Sequence, residues 1–70
     1  MAHWEIVRED GHYVGVAHAA DPRTAFCKCM MTYGMQLTEN NVRAEDVNDG
    51  RRFRITHDGV TYILRDKSVT

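Results

Sequence analysis

Seventy residues suffice for one domain and not for two, and a chain with 43% apolar residues and a single proline is ordinary globular protein rather than a disordered segment. A formal net charge of −1, with the histidines neutral, lacks the basic excess of a general nucleic-acid binder. A domain this small buries only about 60% of the surface its unfolded chain exposes, so its stability is marginal and calls for a staple or a partner.

Trp4 to Glu9 reads as a strand, Asp10-Gly11 as a two-residue turn with positive φ at both positions, and His12 to Ala19 as the returning strand. In that register Val7 faces Val14, Ile6 faces Gly15 and Trp4 faces Ala17, which places Trp4, Ile6, Tyr13 and Ala17 on one face. Trp4, Ile6 and Tyr13 mark the face to bury. The opposite face, with Glu5, Val7, Val14 and Val16, is its rival, because a one-residue slip exchanges the two. Gly15 leaves room for another element to approach closely.

Asp21 to Gly34 is the one segment with helical spacing, a start signal and a stop signal. Asp21 can cap the free amides of the first turn, Pro22 suits the first helical position, and Gly34 can take the left-handed conformation that closes a helix. At about 100° per residue, Pro22, Phe26, Cys29, Met30 and Tyr33 share one face, which must be buried. Cys27 and Cys29 point away from each other on such a helix and cannot bridge. With no second cysteine pair, they read as reduced thiols of a cytosolic protein rather than as metal ligands. No stretch is apolar and long enough for a leader or a membrane span.

Beyond the helix, Met35 and Leu37 should tuck against its last turn, and Thr38 to Asn41 should form a polar turn. Three strands follow, Val42 to Val47, Arg51 to Thr56 and Val60 to Arg65, joined by Asp49-Gly50 and Asp58-Gly59 turns. Phe53 then faces Leu64, Ile55 faces Tyr62, His57 faces Val60, Ala44 meets Ile55 and Glu45 meets Arg54. Residues 66–70 read as a frayed tail. The expected fold is α+β, a single domain over residues 1–70 in the order ββαβββ, with one helix packed on one face of an antiparallel sheet.

Two surfaces carry candidate chemistry. The solvent face of the three-stranded meander holds Arg43, Arg52, Arg54 and Arg65 beside Thr56, Thr61, Ile63 and Glu45, and guanidinium forks suit carboxylates and phosphates alike. No aromatic side chain lies on the meander's solvent face to stack on bases. The helix flank with Thr24, Cys27 and Met31 should expose two soft side chains, the kind that grips partners. His3 and His18 pair across the hairpin in this register but lack a third ligand, and His12 and His57 stand apart. No nucleophile pair, carboxylate pair, phosphate loop or calcium loop is present, so neither a catalytic residue nor a metal or other cofactor is expected.

The run Val7-Arg8-Glu9-Asp10-Gly11, then Val14-Gly15-Val16-Ala17 and Ala19, then Asp21-Pro22, Ala25, Lys28 and Met30 resembles the front half of small phage-encoded type I anti-CRISPR proteins. That resemblance implies a non-enzymatic inhibitor that binds a protein subunit of a CRISPR surveillance complex in a bacterial host. Many such proteins are acidic mimics of DNA, whereas this chain is nearly neutral, which leaves surface blocking as the mechanism. The expected function is therefore a protein-interaction module that occludes its partner through Arg43, Arg52, Arg54, Arg65, Cys27 and Met31. A nucleic-acid accessory protein using the same arginines is the alternative, and a homodimer through the helix flank or a sheet edge would answer the stability problem.

Overall fold

The computed structural model describes residues 2–38, 41–48 and 51–68. Its elements run β1 (Ala2–Arg8), β2 (Tyr13–Ala19), α1 (Pro22–Met31), β3 (Ala44–Asp46), β4 (Arg52–His57) and β5 (Val60–Asp66). The strands form one five-stranded sheet in the order β2-β1-β5-β4-β3, and every pairing is antiparallel. The expected ββαβββ architecture is the one observed. The sheet order, which no local signal encodes, places the first and last strands side by side at the centre.

The second hairpin follows directly from its turn. Asp58 and Gly59 both take positive φ, 53° and 78°, as a two-residue turn between twisted strands requires. Its register then sets Phe53 against Leu64, Ile55 against Tyr62 and His57 against Val60, while β3 sets Ala44 against Ile55 and Glu45 against Arg54, all as the sequence implied. The Asp49-Gly50 turn lies outside the described residues. The Thr38 to Asn41 turn is described only at its ends, where the Asn41 N–H donates to the Thr38 carbonyl at 3.0 Å.

The first hairpin departs from expectation at one point. Its loop has three residues, Glu9 to Gly11, closed by Arg8 N–H to the His12 carbonyl and Gly11 N–H to the Arg8 carbonyl, each at 2.8 Å, with positive φ at Gly11 but not at Asp10. The extra loop residue pairs Val7 with Tyr13 instead of Val14. A bulge then absorbs Val14 and restores the expected Ile6–Gly15 and Trp4–Ala17 pairs. Tyr13, expected in the core, is consequently 58% exposed, whereas Trp4 and Ile6 are buried as predicted.

The helix starts and stops where its signals lie. The Asp21 carboxylate accepts the Thr24 N–H at 2.9 Å, and Pro22 opens the first turn. At the other end Gly34, at φ 83°, lets Met35 N–H reach the Met30 carbonyl at 3.1 Å and its own N–H reach Met31 at 3.0 Å, a pair of bonds that satisfies two terminal carbonyls. The helix packs chiefly on β2 and β1, and Gly15 makes this possible: a β-carbon there would stand 3.0 Å from the Cys29 sulfur. Phe26 fills the space over the other strands, with its ring centre 5.0 Å from that of Tyr62.

The core thus gathers Trp4, Ile6, Phe26, Met30, Ile55 and Leu64 on the helix side. The Trp4 indole N–H is satisfied by the Ala19 carbonyl at 3.2 Å. Tyr33, expected on the buried stripe, lies beyond the regular helix, is 62% exposed, and sends its hydroxyl to the Val14 carbonyl at 2.6 Å. The chain end is also tied down further than expected. Asp66 belongs to β5, and the Lys67 N–H donates to the His3 carbonyl at 2.7 Å.

Two stability predictions follow from these contacts. The Thr24 amide holds the Asp21 carboxyl below its ordinary value of 3.8, so the cap contributes fully above that pH and is lost as pH falls through the lowered folded value. Asp21→Ala should cost about 0.5–2 kcal/mol in denaturant unfolding at neutral pH, and the difference from wild type should shrink in acid. Gly15→Val should cost about 1–3 kcal/mol by overpacking, and Cys29→Ala in the same chain should recover part of that loss, a coupling that a double-mutant cycle measures.

Candidate interaction surface

One helix can cover one face of a sheet, and the other face is left open. Register determines what that face displays. Across the middle of the sheet run Val7, Ile63, Arg54 and Glu45, and the next row holds Val16, Glu5, Arg65 and Arg52. Thr61 and Thr56 form a further pair whose hydroxyls lie 3.2 Å apart. Val7, Val16 and Ile63 thus share this face with the arginines of β4 and β5, and Glu5, His3 and His18 complete its hairpin side.

The charges on this face are unevenly matched. Arg54 donates to Glu45 at 3.1 Å, the cross-strand pair that the register predicts. Arg65 is 3.8 Å from Glu5, too long for a hydrogen bond. Arg52 has no ion pair among the described residues, and it stands directly opposite Arg65. Like charges in that position repel, and exposed ion pairs of this kind contribute at most about 1 kcal/mol, so the two carboxylates do not neutralise the three guanidinium groups.

Of the six residues singled out from sequence, Arg52, Arg54 and Arg65 are the three that share one surface. Arg43 precedes β3 and lines a separate open depression of about 380 Å³ with Arg23 of the helix, because β3 begins at Ala44 and not at Val42. Met31 is 65% exposed on the helix. Cys27, expected beside it on an open flank, is buried. The helix is covered over a wider arc than one stripe: Ala25 and Cys27 join Phe26, Cys29 and Met30 in the core, which also takes in Val42, with Met35 and Leu37 packed against it. Residue spacing on the helix could not show that the chain leaving it would return to the same core.

Cys27 and Cys29 are both buried, and neither takes part in a disulfide. Burial pushes the Cys29 thiol above its ordinary range, which keeps it protonated and a poor nucleophile at neutral pH. Iodoacetamide should therefore modify the native protein at least about tenfold more slowly than the urea-unfolded chain, as mass spectrometry of timed samples would show.

Sequence reasoning missed the aliphatic residues that the open face gathers beside the arginines. In the sequence Val7 and Val16 mark one side of an isolated hairpin, and only the β1–β5 pairing makes them continuous with Ile63 and the arginines. No protein-family model matches the chain, and neither a curated protein nor a solved structure matches it.

Proposed function

We propose that this protein is a small non-enzymatic interaction module that works by occlusion, laying its open sheet face over a partner protein's working surface. The observation that carries the reading is the uncovered Arg52–Arg65 pair, two like charges held opposite each other beside an aliphatic strip of Val7, Val16 and Ile63. Such a surface complements an acidic patch with an apolar centre. Carboxylates entering between the two guanidinium groups would remove the repulsion, and the aliphatic strip supplies apolar area that a phosphate backbone cannot use.

The resemblance of the first half to type I anti-CRISPR proteins supports a phage or mobile-element inhibitor acting in the cytoplasm of a bacterial host, with a CRISPR surveillance subunit as its target. No helix among the described residues is long and apolar enough to cross a membrane.

The test begins with tagged protein recovered from a nuclease-treated bacterial lysate, followed by titration of the purified partner with wild type and with Arg52→Glu/Arg65→Glu. The double reversal should weaken binding by at least about tenfold, or 1.4 kcal/mol, while circular dichroism and the melting temperature remain close to wild type. Unchanged affinity would sink the proposed use of this face. Recovery of nucleic acid alone, released by moderate salt, would assign the arginines to phosphates instead.

A further inference from the structure

The open face carries a second chemical feature that the arginine surface does not use. His3 on β1 and His18 on β2 are direct cross-strand partners, and their ring centres lie 4.4 Å apart at an interplanar angle of 75°. Each is held by its backbone as well as by strand pairing. The Lys67 N–H donates to the His3 carbonyl at 2.7 Å, and the Lys28 ammonium donates to the His18 carbonyl at 3.0 Å. The two residues are thus held at the main chain in paired strands rather than in a loop.

Two imidazoles bound to one tetrahedral ion, with metal–nitrogen bonds of about 2.0–2.1 Å, have their ring centres about 5 Å apart. The His3–His18 separation falls short of this by less than about 1 Å, a gap that side-chain torsions can close without moving the strands. We propose that His3 and His18 form an open binding site for a divalent transition-metal ion. Among the described residues no third His, Cys, Asp or Glu joins them, so water or a donor from another molecule completes the coordination and the ion exchanges freely. Imidazole nitrogens select Cu²⁺, Ni²⁺ and Zn²⁺ over the oxygen-seeking Ca²⁺ and Mg²⁺, and Cu²⁺ should bind more tightly than Zn²⁺.

The experiment is calorimetric titration of the metal-free full chain with CuCl₂ and, separately, ZnCl₂ at neutral pH, with imidazole resonances followed by NMR. Saturable binding should perturb the His3 and His18 rings, and His3→Ala or His18→Ala should each weaken it by about tenfold or more. His12→Ala, which changes an exposed loop histidine outside the pair, should leave the affinity unchanged. Absence of saturable binding, affinity that survives both single substitutions, or an equal loss in His12→Ala would overturn the site. Retained circular dichroism in each variant separates loss of a ligand from loss of fold.

Discussion

The pairing of β1 with β5 is the constraint on which the rest of the structure depends. Each hairpin alone would be a two- or three-stranded ribbon with both edges free, and an isolated ribbon is at best marginal in water. Joining the first strand to the last makes one sheet, and Ile6 beside Leu64 becomes the floor of a core that neither hairpin could build. The same pairing sets Val7 beside Ile63 and Glu5 beside Arg65. Core and exposed surface are thus consequences of a single set of backbone hydrogen bonds between the two ends of the chain.

Features dictated by neighbouring residues could be read from the sequence, and features dictated by distant ones could not. Asp58-Gly59 fixed its register because only a few residue types tolerate two successive positive φ angles. Asp21, Pro22 and Gly34 bounded the helix because its terminal N–H and C=O groups must be satisfied. The first hairpin shows the limit of such rules. A three-residue loop in place of a two-residue one, followed by a bulge at Val14, leaves most pairs as expected yet turns Tyr13 out of the core. Local turn chemistry does not show where a strand will absorb an extra residue.

The candidate site divides in the same way. Arg52, Arg54 and Arg65 could be assigned to one face because strand alternation and the single Asp58-Gly59 connection suffice to place them. Arg43 was lost from that surface when β3 proved shorter than its apolar pattern suggested, and Cys27 was lost when the core closed around the helix. Chemically, the surviving surface opposes two tendencies. Val7, Val16 and Ile63 favour burial, while the arginines beside them resist it unless negative charge arrives with the covering surface. A neutral apolar partner would therefore gain little from covering it.

Two hydrogen bonds to the outer strand, one from the helix and one from the turn that follows it, have a consequence for geometry of approach. Tyr33 and Lys28 occupy the Val14 and His18 carbonyls of β2, and the opposite edge, β3, is only three residues long and carries Glu45 and Asp46. Both margins are thereby weakened as templates for an added strand, since a newcomer would meet two acceptors already in use on one side and a short acidic segment on the other. Lateral growth into a continuous sheet is disfavoured. The open face between the margins is then the broader surface for a partner in the proposed reading, one met side chain first rather than backbone to backbone.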